Sequence, residues 1–139
     1  MSSDGLRVAI GAPNNDGNGR NAGHVRIYEY NSTYGWVQLG SDIDGEAAGD
    51  QSGWSVSLSS DGSKVAIGAI NNDFGRGHAR IYEYDGTSWT QLGTDIDGEA
   101  SGDLSGYSVS LSADGTRVAI GGIMLNNTGR AEIYELKYD

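Results

Sequence analysis

Ser60-Asp61-Gly62-Ser63-Lys64-Val65-Ala66-Ile67-Gly68-Ala69 is written again as Ala113-Asp114-Gly115-Thr116-Arg117-Val118-Ala119-Ile120-Gly121-Gly122. It is preceded by Ser3-Asp4-Gly5-Leu6-Arg7-Val8-Ala9-Ile10-Gly11-Ala12. The three Asp-Gly pairs begin at Asp4, Asp61 and Asp114, 57 and then 53 residues apart. A unit recurring at such a period cannot bury its own apolar face and must stack on a neighbour, as in solenoids, propellers and arrays.

Around this stretch the middle copy reads as four strands. Trp54 to Ser59 alternates apolar and polar residues with period two, the pattern of a strand with two unlike faces. Asp61-Gly62 is a tight turn, because both residues tolerate positive φ. Lys64 to Ala69 is continuously small and apolar, as in a strand covered on both faces. A polar loop from Asn71 to Gly77 leads to a third strand, Ala79 to Tyr84. After Asp85-Gly86 a fourth follows, Ser88 to Gly93. No segment sustains a 3.6-residue apolar period, so almost no helix is expected.

Four short antiparallel strands per repeat is the blade pattern of a β-propeller. With strands named A to D outward from the propeller axis, residues 1–40 hold B, C and D (Leu6–Ala12, His24–Tyr30, Trp36–Gly40). Residues 41–93 hold a link and a complete blade. Residues 94–139 hold a link and A, B and C (Tyr107–Leu111, Arg117–Ile123, Ala131–Leu136). The expectation is an all-β fold: a propeller segment of four-stranded antiparallel blades, about two and a half to three of them. Both ends would expose blade faces and open edges. That implies self-association into a closed ring or excision from a longer chain.

Composition narrows the function. The 139 residues carry 23 Gly, one Pro and no Cys, and the net charge is −10. Acidity excludes the basic face that neutralises nucleic-acid phosphate. No apolar run reaches the roughly 18 residues of a membrane span. Disulfides and thiolate metal sites are impossible without Cys.

Gly53-Trp54-Ser55-Val56-Ser57-Leu58 and Gly106-Tyr107-Ser108-Val109-Ser110-Leu111, each followed by Val-Ala-Ile-Gly, resemble the Phe-Gly/Gly-Ala-Pro (FG-GAP) repeat of integrin α-chain propellers. Val8-Ala9-Ile10-Gly11-Ala12-Pro13 is the fullest match to its second half. The resemblance implies a propeller fold and an adhesive, extracellular protein-binding role. The sequence departs from the family at Ser52 and Ser105, where Phe is usual, and at Ile70 and Ile123, where Pro is. The family's Asp-rich calcium loop lies between strands A and B. Here that connection is only Ser59 to Ser63, so the family's calcium site does not transfer.

The densest chemistry lies between the blades instead. Asp42-Ile43-Asp44-Gly45-Glu46-Ala47-Ala48-Gly49-Asp50 recurs as Asp95-Ile96-Asp97-Gly98-Glu99-Ala100-Ser101-Gly102-Asp103. Carboxylates at relative positions 1, 3, 5 and 9 make Asp42, Asp44, Glu46, Asp50, Asp95, Asp97, Glu99 and Asp103 candidate calcium ligands, since calcium takes six to eight hard oxygens. The competing reading is an inter-blade crossover whose acids accept backbone N–H bonds. No cofactor besides calcium is implied.

The remaining features are individually weaker. The Asn-rich loops at Asn14–Gly19 and Asn71–Asp73 occupy typical partner-binding positions on one face of a repeat array. His24 and His78 share a repeat position and read as satisfied strand residues. Arg26, Arg80 and Glu132 share another, which reads as solvated. Trp36, Trp54, Trp89 and Tyr107 read as packing anchors between blades, with sugar stacking the alternative. Asn31-Ser32-Thr33 and Asn126-Asn127-Thr128 match the N-glycosylation pattern and favour an extracellular setting. No nucleophile elbow, zinc motif or phosphate loop is found. The expected function is a non-catalytic module that binds a protein. The alternatives are a calcium-dependent or carbohydrate-binding propeller and a propeller hydrolase fragment.

Overall fold

The computed structural model describes residues 1–124 and 128–137; Asn126 and Asn127 of the second glycosylation pattern lie outside the described residues. Among the described residues, eleven strands form three antiparallel sheets. The first contains β1 (Arg7–Ala12), β2 (His24–Asn31) and β3 (Gly35–Gln38) in that order, with β4 (Ile43–Asp44) also on β2. The second runs β5 (Ser52–Leu58), β6 (Lys64–Ala69), β7 (His78–Tyr84) and β8 (Trp89–Asp97). The third runs β9 (Ser108–Leu111), β10 (Arg117–Gly122) and β11 (Arg130–Glu135). A four-residue helical turn, α1 (Asn72–Gly75), lies in the loop between β6 and β7.

The three copies have one register. Val8, Val65 and Val118 face Tyr28, Tyr82 and Tyr134 across the sheet. Ala9, Ala66 and Ala119 face Ile27, Ile81 and Ile133 in the same way. The Asp-Gly turns close alike. Asp4, Asp61 and Asp114 each accept a backbone N–H two residues on, together with the hydroxyl of Ser2, Ser59 or Ser112. Those bonds hold Asp61 and Asp114 at about 2; for Asp61 the Ser63 amide contributes most, and for Asp114 the Thr116 hydroxyl does.

The core lies between sheets. Val25, Ile27 and Ile43 of the first meet Leu58, Val65 and Ile67 of the second. Ala66, Ala79 and Ile81, on the other face of the second, meet Leu111, Val118 and Ile120 of the third. Alternation along β6 therefore sends Val65 and Ile67 one way and Ala66 the other. Burying each large apolar side chain contributes about 1.5–3 kcal/mol.

Glycine sets how closely the sheets approach. A Cβ on Gly11 would sit 2.0 Å from the Gly53 carbonyl oxygen, and one on Gly68 would sit 2.1 Å from that of Gly106. Backbone N–H groups also step from sheet to sheet, from Ser3 to the Ser60 carbonyl (2.8 Å) and from Ser60 to the Ala113 carbonyl (2.9 Å).

Only the middle sheet is covered on both faces. Ile67 and Ile81 are each 2% exposed, whereas Ile10, the counterpart of Ile67, is 52% exposed and Ile133, the counterpart of Ile81, is 77% exposed. Two elements differ from the sequence reading. The fourth strand continues through a bulge into the acidic link as far as Asp97, and β4 is the matching piece of the preceding link. Both are held by pairing to the strand that begins at the repeated His, a long-range contact that local patterning does not reveal.

Candidate functional site

The two acid-rich links run along one edge of the molecule, against the loops after β1 and β6. Asn18 Nδ2 donates to the Gly45 carbonyl at 2.7 Å, and Ser101 Oγ donates to the Phe74 carbonyl at 2.7 Å. Pairing of His24 with Asp44 and of His78 with Asp97 fixes where each link starts.

That register sets Asp42 beside Arg26 and Asp95 beside Arg80. Arg26 donates Nε and Nη2 to the two Asp42 oxygens at 2.8 and 3.0 Å, and Gln38 adds a bond of 2.7 Å. Arg80 grips Asp95 the same way at 2.7 and 2.8 Å, with Gln91 at 2.8 Å. Paired Arg26, and then Gln38, hold Asp42 at about 2. Arg80 likewise lowers Asp95.

The remaining acids of a link diverge from this pair. Glu46 leaves its own sheet and takes Arg80 Nη2 of the next at 2.5 Å, with Asn72 Nδ2 at 2.8 Å; Arg80 holds its carboxyl below the usual range. Asp50 is buried and accepts from Asn72 Nδ2 at 2.9 Å. Asp103, also buried, accepts the backbone N–H groups of Glu99 (3.0 Å) and Ala100 (2.8 Å). Glu99 meets Arg130 Nη1 at 2.5 Å. Asp44 and Asp97 are exposed at the strand ends.

The eight candidate ligands are thus dispersed: Glu46, Asp50 and Glu99 reach the next sheet, Asp42 and Asp95 stay on their own, Asp103 caps its own link, and Asp44 and Asp97 are exposed. Among the described residues two clusters place one ligand atom each within 4.8 Å of one another: His24, Asp42 and Asp44, and Glu46, His78 and Asp95. Each includes an imidazole nitrogen, and an arginine is seated on Asp42 in the first and on both Glu46 and Asp95 in the second. Calcium prefers an all-oxygen shell. Guanidinium supplies the positive charge these acids need.

The arginine position is not a solvated one in the middle sheet. Arg80 is largely covered, and it ties two sheets together through Asp95 and Glu46. Its charge also serves the third sheet in altered form. There Glu132 takes the arginine position, and Arg130, two residues earlier on the same face, reaches both Glu99 and Glu132. His78, expected to be satisfied, is buried with Nδ1 lacking a hydrogen-bond partner. Burial, and then the nearby Arg80, lower its pKa.

The aromatic anchors divide. Trp89 crosses the first junction, its indole N–H donating to the Leu39 carbonyl at 2.9 Å. Trp54 and Tyr107 stack across the second at 5.6 Å between ring centroids. Trp36 lies on the open face of the first sheet beside Tyr30.

One residue of this edge escaped the sequence reading. Phe74, the only Phe in the chain, is 90% exposed at the tip of α1. Asp73 and Phe74 are both left-handed, with φ of 51° and 57°. Arg76 forms an ion pair with Asp73, its Nε 3.0 Å from Asp73 Oδ2, and Ser101 Oγ donates to the Phe74 carbonyl, so the tip is held on both sides. The available signal was an aromatic residue in an otherwise polar loop. No protein-family model matches this chain, and no curated protein matches it at a significant level.

Proposed function

We propose that this chain is a non-catalytic β-propeller segment that binds a protein partner through the edge formed by its acid-rich links and the loops after β1 and β6. The observation that supports this most directly is Phe74. Two consecutive left-handed non-glycine residues cost about 1–2 kcal/mol each, and such strain clusters at recognition sites. Here it presents a bare aromatic ring on an anchored loop, a side-chain type enriched at the cores of protein interfaces. Three of the repeated acids, Glu46, Asp50 and Glu99, support a non-catalytic role, because they are engaged in joining one sheet to the next. The FG-GAP resemblance adds an adhesive, extracellular setting.

The test is affinity capture with three forms of the chain: wild type, Phe74→Ser, and Tyr34→Ser as a control on an exposed turn between β2 and β3. The reading predicts a protein retained by wild type and Tyr34→Ser but lost with Phe74→Ser, resistant to chelator and free sugars. Retention that is unchanged in Phe74→Ser, or glycan binding without a protein ligand, overturns it.

A further inference from the structure

The two outer faces of the chain carry matching apolar parts of a junction that the chain already forms twice, although the first sheet has no strand corresponding to β5 or β9. In the first junction Ile27 packs with Val65 and Ile67 of the next sheet. In the second Ile81 packs with Val118 and Ile120. The same register leaves Ile133 pointing outward from the third sheet and Val8 and Ile10 on the open face of the first. Val8, Ile10, Tyr28 and Trp36 line an apolar groove there. Ser110, Ala119, Ala131 and Ile133 line one on the outer face of the third sheet.

We propose that two copies of this chain dock head to tail, the third sheet of each on the first sheet of the other, reusing the Ile-on-Val-and-Ile contact of the internal junctions. Ile133 then enters the groove of Val8 and Ile10 of the second copy. The turns extend the same series. Ser3 N–H bonds the Ser60 carbonyl and Ser60 N–H bonds the Ala113 carbonyl, so Ala113 N–H meets Ser3 of the second copy. The Arg7 stem covers Gly62 and the Lys64 stem covers Gly115, so Arg117 covers Gly5. The number of copies rests on the propeller reading above: closed propellers have about 4–8 blades, which two copies of three sheets satisfy and three copies exceed. A head-to-tail contact that closes gives a finite ring instead of a fibre.

Sedimentation of the 139-residue chain across the micromolar range tests this, with Ile10→Glu and Ile133→Glu as variants. Both side chains are already more than half exposed, so neither charge disrupts a core; amide spectra confirm the fold in each. Wild type is expected to be dimeric and each variant monomeric. An equimolar mixture of the two is expected to recover the dimer, because it restores one intact pair of faces. A folded wild-type monomer at every concentration overturns the proposal. So does a single variant that stays dimeric, a mixture that stays monomeric, or a larger assembly. Phe74 lies on neither end face, so its capture test fails or succeeds separately.

Discussion

The carboxylate of Glu46, in the link after the first sheet, lies 2.5 Å from the guanidinium of Arg80, on the third strand of the second sheet. The residues are 34 apart in sequence, and the contact spans a junction. Arg80 also holds Asp95 of its own sheet. Replacing it with Ala leaves two partly covered carboxylates unpaired and is expected to cost about 2 kcal/mol in urea unfolding. Arg26 is more open and its carboxylate partner, Asp42, belongs to its own sheet, so Arg26→Ala is expected to cost clearly less than Arg80→Ala in the same unfolding. Equal costs would contradict a junction role for Arg80.

Gly68 lets β6 meet the next sheet backbone to side. A methyl group there would stand 2.1 Å from the Gly106 carbonyl oxygen, which cannot move without parting the sheets. Gly68→Ala is therefore expected to destabilise by about 3 kcal/mol or more. At Gly121, the counterpart in the third sheet, the close neighbour is the Ser108 hydroxyl, which can rotate. Gly121→Ala is expected to cost less than about 1 kcal/mol. Thermal unfolding of both variants checks the contrast.

Acid should unfold the protein in two stages. His78 has a lowered pKa in the fold, so the unfolded chain binds more protons below its ordinary value near 6.5, and stability falls as pH drops through that range. Asp95, Glu46 and Asp50 favour its protonation, while burial and Arg80 oppose it more strongly. Asp42, Asp61 and Asp114 at about 2 contribute stability that is present above pH about 4 and lost between 4 and 2. His78→Gln should abolish the first stage and keep the second, as read by unfolding midpoints across pH.

The strain at Phe74 can be relieved directly. Glycine adopts the left-handed region freely, so Phe74→Gly is expected to raise stability by about 0.5–1 kcal/mol although it removes a large side chain. A loss of stability would mean that the ring packs against the fold.

The links give one more expectation. Arginine or backbone amides engage Asp42, Glu46, Asp95 and Asp103, so millimolar calcium is expected to leave the melting temperature unchanged. A calcium-dependent rise of several degrees would restore the calcium reading.

The strands were legible because Val-Ala-Ile-Gly and its alternating neighbour carry their period locally; β6 begins and ends where Lys64 and Ala69 had suggested. Which face of each outer copy is buried was not legible: Val118 is as fully buried as Val65, whereas Val8 is only half-buried. Val8 and Val118 are chemically the same residue as Val65, but what covers each depends on the neighbouring sheet. The site was harder to read. Asp42, Glu46 and their repeats stood out as a cluster, yet spacing along the chain could not reveal that Glu46 belongs with Arg80 and Glu99 with Arg130. Arg130 and Glu132 exchange roles relative to His78 and Arg80, which hid the pairing. Phe74 depends on backbone dihedrals that no local pattern encodes.

The central claim is that each sheet is held by its neighbours, so the doubly covered middle sheet anchors the rest. Amide hydrogen exchange on Ile133→Glu, in which the outer faces stay open, tests this most directly. The account predicts the slowest exchange in β6 and β7, at Val65 to Ala69 and Ala79 to Ile81, and faster exchange at the matching positions of β1 and β10. Equal protection in all three sheets, or slowest exchange in the third, would contradict it.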